Sequence, residues 1–120
     1  MSEAKTHSGS CHCGKVRYQV TIDLAKPVIS CNCSMCGRSG TLLAFVPAAQ
    51  FQLLSGEDAL TEYKFNRNVI AHMFCSTCGI KPFARGKMAD GTPTAAINVR
   101  CLDDVDLETL NVQKFNGKAR

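Results

Sequence analysis

Three thiols lie within six residues at Cys31-Asn32-Cys33-Ser34-Met35-Cys36, and no other stretch restricts the fold as tightly. A second knuckle stands at Cys75-Ser76-Thr77-Cys78 and an opening pair at Cys11-His12-Cys13, so seven of the eight cysteines fall in three clusters. A Cys-x-x-Cys turn carries two sulfurs to one tetrahedral ion, at zinc–sulfur distances of about 2.3 Å. Gly14, Gly37 and Gly79 follow the three clusters. Glycine accepts the positive φ that folds such a turn back over its sulfurs. The chain therefore reads first as a zinc protein.

With 120 residues the chain is one domain, divided into a polar, flexible leader over 1–9 and a single zinc-binding β domain over 10–120. It has no Trp and six Phe, a lean core of the size that metal ligation commonly supplements. The first ten residues contain no apolar stretch fit for a signal peptide, and nowhere do about 18 apolar residues run together. That predicts a cytoplasmic chain with no membrane partner. In the reducing cytosol, clustered cysteines serve as metal ligands rather than as the disulfides of a secreted protein. The formal charge of +4 falls to about +1 once seven thiolates and two zinc ions are counted. Arg38, Arg67, Lys81, Arg85, Lys87 and Arg100 are spread out, and only the tail Lys118-Ala119-Arg120 is a basic run. Nucleic acid is thereby disfavoured as a partner.

Short strands dominate the pattern. Val16 to Ile22 alternates strictly, the period of a half-buried strand. Val28-Ile29-Ser30 leads into the triple-cysteine loop, and Leu42 to Val46 is an apolar run expected to be buried on both faces. Phe51 to Leu54 is a further short strand; Leu60 to Phe65 and Val69 to Phe74 form a hairpin about Asn66-Arg67-Asn68. Lys81 to Arg85, the alternating Ala95 to Val99 and Val112 to Phe115 complete the strands, with one helical turn over Asp106 to Leu110. Many short strands without a long amphipathic helix predict a mainly β fold. An exposed edge strand is the sequence's one hint of self-association.

A closed structural zinc takes four protein ligands; a catalytic zinc takes three and keeps a position for water or substrate. Seven sulfurs can fill one of each. In one partition Cys11, Cys13, Cys75 and Cys78 close one site while Cys31, Cys33 and Cys36 surround an open one. In the rival partition Cys33, Cys36, Cys75 and Cys78 make a zinc ribbon. Local geometry favours the first, since three sulfurs within six residues converge without distant help.

Four segments, Gly9 to Tyr18, Ser30 to Cys36, Phe74 to Phe83 and Ile97 to Asp103, resemble in order and spacing the glutathione-dependent formaldehyde-activating enzyme family, which also contains the centromere protein V domain. The resemblance implies a zinc-stabilised, β-tent-like fold of short antiparallel strands. It also implies a structural zinc at Cys11, Cys13, Cys75 and Cys78, a catalytic zinc at Cys31, Cys33 and Cys36, and glutathione as the small-thiol partner. The implied reaction is of the carbon-sulfur lyase type, glutathione plus formaldehyde giving S-hydroxymethylglutathione. The alternative is a non-catalytic zinc module that binds a protein or nucleic acid.

In that alternative a fourth protein ligand can fill the open site, and Cys101 is the candidate; otherwise Cys101 is a small buried hydrophobe. His12 reads as a solvent-facing loop residue and His72 as a satisfied core or surface histidine rather than a general base. Arg38, two residues past Cys36, is the best placed cation for an anionic substrate. Ser34 and Met35 fill the cysteine turn. Asp103, Asp104 and Asp106 read as a turn and a helix start rather than a cation site. Nothing in the sequence makes a Ser/His/Asp arrangement or a phosphate-binding loop, so any catalysis has to come from the metal.

Overall fold

The computed structural model describes residues 5–64, 70–87 and 90–116. Among them ten strands form two sheets. The smaller sheet has the order β1 (Lys5–Ser10), β2 (Arg17–Ile22), β5 (Phe51–Ser55), all antiparallel. The larger begins with β10 (Val112–Phe115), β3 (Val28–Cys31), β4 (Leu43–Pro47) and β9 (Pro93–Asn98), and continues through β8 (Phe83–Lys87), β7 (Ala71–Cys75) and β6 (Leu60–Tyr63). The fold is mainly β, as the strand pattern predicts. One ladder departs from the antiparallel expectation: β10 runs parallel to β3, with Val112 opposite Val28 and Phe115 opposite Cys31.

The two sheets close on one core. In β2, Tyr18, Val20 and Ile22 are buried while the residues between them are not, the alternation of a sheet with one covered face. Tyr18 and Phe51 of the small sheet meet Phe83 of the large one, with ring centroids 5.3, 6.0 and 4.6 Å apart for the pairs Tyr18–Phe51, Tyr18–Phe83 and Phe51–Phe83. Tilted and edge-on arrangements of this kind set the positive ring edge against a negative face. Val46, Ala95, Ile97 and Val99 complete this layer.

Several sequence expectations are corrected. Residues 5–9 of the anticipated flexible leader lie in β1, which pairs along its whole length with β2 from Lys5–Ile22 to Ser10–Arg17. Polar composition concealed it because β1 is an edge strand, exposed or half-buried at every position except Gly9. Gly9 is tucked under Tyr18, whose ring lies 2.5 Å from where a Cβ would sit. The apolar run at β4 is buried on both faces at Leu43 and Ala44, but Phe45 is 59% exposed. The covered central strand is instead β9, buried continuously from Ala95 to Asn98 where the sequence predicts alternation. The Asn66-Arg67-Asn68 turn lies outside the described residues, although β6 and β7 pair antiparallel as its hairpin requires.

Candidate metal centre

Local structure carries the cysteines to two places. Cys11 and Cys13 follow β1; Cys75 ends β7, and Cys78 lies in the turn beyond it. Both knuckles close with a backbone bond three or four residues past their first cysteine. Gly14 N–H donates to the Cys11 carbonyl at 3.3 Å and Gly79 N–H to the Cys75 carbonyl at 2.8 Å. Gly14 and Gly79 take φ of 84° and 81°, as their places after the clusters predict. Lys15 Nζ donates to Thr77 Oγ1 at 3.2 Å and links one knuckle to the other.

The third cluster is built differently. Cys31 ends β3, Cys33 caps a short helix, α1 (Ser34–Ser39), and Cys36 lies inside it. Helix geometry suits the spacing, because the Cys33 sulfur accepts the Cys36 N–H at 3.3 Å in the manner of an N-cap side chain. Gly37 is therefore helical, and the left-handed residue is Gly40 at φ 69°, the C-cap. The expectation of a positive φ at Gly37 fails because a three-residue spacing can end in a helical turn as well as in a knuckle.

The four sulfurs of Cys11, Cys13, Cys75 and Cys78 lie within 4.8 Å of one another, as do the three of Cys31, Cys33 and Cys36. Cys11–Cys13 and Cys13–Cys75 sulfur distances are both 3.6 Å. Four ligands at about 2.3 Å from a tetrahedral ion stand about 3.8 Å apart, so the quartet has the dimensions of a zinc–thiolate site. All eight cysteines are unbridged. Each cluster could hold a metal ion, and zinc fits the donor set.

Electrostatics agrees with the dimensions. Cys78 is drawn down to about 6, chiefly by the Ile80 backbone N–H, and Cys75 is also lowered, chiefly by that of Cys78. Although the Lys15 amide pulls the other way, desolvation and the adjacent sulfurs push Cys13 up to about 11. In the triplet, burial and then the neighbouring Cys33 push Cys36 up to about 12. Burial also opposes ionisation of Cys33, but the Cys36 N–H and nearby thiols outweigh it and lower its pKa. Sulfurs this close cannot all ionise unless a cation shares their charge. Backbone amides already point at them: Val16 N–H at the Cys11 sulfur (3.4 Å) and Cys33 N–H at that of Cys31 (3.4 Å).

The triplet rests on Leu43, Ala84 and Ala96 of the larger sheet, with Cys36 buried and Cys31 and Cys33 partly exposed. The ribbon partition fails, because Cys33 and Cys36 group with Cys31 and not with Cys75 and Cys78. Cys101 joins neither cluster. Its sulfur receives Asn98 Nδ2 at 3.6 Å and faces the Lys81 carbonyl at 3.9 Å. Burial first, and then Cys11 and Cys78, raise it to about 11. Arg38 sits on α1 beside the triplet, yet its guanidinium donates to the Ser34 carbonyl at 3.1 Å and ties its own helix. His12 is exposed. Asp106 caps a 3-10 turn by accepting the Glu108 N–H at 3.0 Å, and Asp104 pairs with His7 at 3.1 Å.

Sequence reasoning missed one pair. His72 and Lys81, 5% and 7% exposed, lie with Lys81 Nζ 2.7 Å from His72 Nδ1. The available signal was a lone lysine in the otherwise apolar run Ile80-Lys81-Pro82-Phe83.

The family described as glutathione-dependent formaldehyde-activating enzyme matches residues 6–116. The chain belongs to this family. The match begins inside β1 and ends just past β10, so it takes in both sheets and both cysteine clusters. Among solved structures, the chain is similar to a Rhodobacter sphaeroides protein seen by crystallography, with 28% identity and a TM-score of 0.73 over 88% of this chain and 99% of that one. No helix among the described residues is long and apolar enough to cross a membrane.

Proposed function

We propose that the protein is a zinc-dependent enzyme of the carbon-sulfur lyase type acting on a small thiol adduct, with glutathione and formaldehyde as the pair that family membership favours. The observation that carries this reading is the inequality of the clusters: four sulfurs in one, three in the other, and Cys101 in neither. Cys11, Cys13, Cys75 and Cys78 would hold a structural zinc. Cys31, Cys33 and Cys36 would hold a second, more labile one with a position left for substrate. Bound there, zinc supplies Lewis acidity and keeps a soft thiol ionised.

The chain's own part is to present that position. Cys36 anchors the triplet against Ala84 and Ala96, while Cys31 and Cys33 remain partly open to solvent. In the reaction, thiolate sulfur attacks the aldehyde carbon and a carbon-sulfur bond forms. The carbonyl π pair moves to oxygen, which takes up the proton lost by the thiol. The reverse is carbon-sulfur cleavage. This chemistry belongs to a reducing compartment such as the cytoplasm, where thiols stay reduced. The binding-module alternative loses its candidate ligand with the placement of Cys101.

The test is glutathione–formaldehyde exchange followed with protein purified anaerobically, together with zinc per chain before and after dialysis against glutathione. Exchange faster than the uncatalysed reaction, and two zinc ions falling toward one with the fold intact, are expected. Exchange at the background rate with zinc content unmoved by thiol would refute the proposal.

A further inference from the structure

Of the four buried polar side chains among the described residues, three, His72, Lys81 and Asn98, meet beside the triple-cysteine cluster. His72 stands opposite Ala84 across β7 and β8, and Ala84 stands opposite Ala96 across β8 and β9. Directly opposed residues of an antiparallel ladder share a face. Ala84 and Ala96 are the bed on which Cys31, Cys33 and Cys36 rest, so His72 lies on the face that carries the triplet.

Lys81 reaches His72 from the chain just before β8. Burial, and secondarily the Lys81 charge, push the imidazole down to about 4, so the ring is neutral at physiological pH. The ammonium therefore donates and Nδ1 accepts. Asn98 Nδ2 donates to the Lys81 carbonyl at 3.0 Å and fixes the backbone from which the side chain extends.

A buried ammonium with a neutral partner bears a desolvation cost that an anion must offset. Among the described residues no carboxylate lies within ion-pair distance of Lys81. Burial disfavours its charge, and the groups whose ionisation would favour it are Cys36, Cys33 and Cys31. The triplet is thus the electrostatic counterpart of this lysine.

We propose that Lys81, oriented by His72, is the specificity-determining cation of the triple-cysteine site and selects an anionic occupant, a thiolate, for the position that the three sulfurs leave open. This inference rests on the zinc reading of the triplet. Three thiolates around a dication carry a net charge of −1, and an incoming thiolate is repelled by that charge. The Lys81 ammonium cancels it. A neutral ligand gains nothing from the cation, so selectivity for charge is the signature of the arrangement.

The experiment uses the full chain loaded with cobalt(II), whose visible absorption changes with its donor atoms. Wild type, Lys81→Gln, Lys81→Met and Lys81→Arg are titrated with 2-mercaptoethanol and, separately, with imidazole. Gln keeps a donor for His72 and Met fills the volume, so a folded, metal-loaded form of either neutral variant suffices. The expected result is thiol binding weakened about tenfold or more in the neutral variants, imidazole binding within about twofold of wild type, and recovery with Arg. Equal weakening of both ligands would make Lys81 merely structural, and unchanged thiol binding would remove its role; either overturns the inference while leaving the functional reading standing. A loaded wild type that takes no thiol at all would overturn the functional reading, and the inference with it.

Discussion

Replacing His72 by Gln should flatten the acid limb of the stability profile. His72 is 5% exposed, and burial together with Lys81 lowers its pKa from 6.5 to about 4. Between those values the unfolded chain binds a proton that the folded chain refuses. Stability is thus fully present above pH 6.5 and is lost as pH falls toward 4. Each pH unit in that window is worth about 1.4 kcal/mol, so moving from pH 7.5 to pH 5 should cost the wild type about 2 kcal/mol through this one imidazole. Gln can accept from Lys81 but does not titrate. The assay is urea unfolding of the metal-loaded wild type and His72→Gln at several pH values. Cysteine protonation burdens both proteins alike, so the difference between the two profiles isolates the ring. The net charge of −1 on a metal-loaded triplet works against this shift, so about 2 kcal/mol is the upper value for the loaded protein. Parallel profiles, or an imidazole that titrates near 6.5 by NMR, would refute the reasoning.

Cys33→Ser should lower zinc content by one ion per chain and leave the far-ultraviolet circular dichroism intact, because the triplet lies on one face of a sheet whose core is elsewhere. Cys78→Ser should lower zinc content and collapse the fold as well, since the quartet ties the turn beyond β7 to the segment after β1; elemental analysis with circular dichroism separates the two outcomes. Gly56→Ala should destabilise by about 2 kcal/mol or more, seen as a lower urea midpoint. Gly56 has φ 88°, and its Cβ would sit 2.2 Å from the Lys15 carbonyl oxygen. Phe83→Ala should cost about 3–5 kcal/mol, read as a fall in Tm, because it empties the meeting point of the Tyr18 and Phe51 rings.

The metal clusters were legible because they are local. Two or three cysteines within six residues have little choice but to share an ion, and glycine after a knuckle declares its own backbone angle, as Gly14 and Gly79 bear out. Strand alternation in β2 was legible for a similar reason: one face of that strand is covered along its whole length. The partition of the sulfurs was only half legible. Spacing favoured the triplet, but β1 and β7 belong to different sheets, and the two sheets had to close before Cys11 and Cys13 could meet Cys75 and Cys78.

Other features depend on partners far along the chain. β1 is a strand because β2 offers it a full ladder of backbone bonds, which no polar side chain in Lys5–Ser10 could announce. β10 lies parallel to β3 after 80 intervening residues, a pairing that periodicity does not encode. The proposed cation of the triplet, Lys81, is delivered by a turn to His72 on the neighbouring strand, on the face that carries the three sulfurs. Sequence by itself determined the candidate ligands, since coordination chemistry acts over a few residues. Tertiary structure decided which sulfurs stand close enough to share an ion and which cation shares their face, because electrostatics and packing act through space.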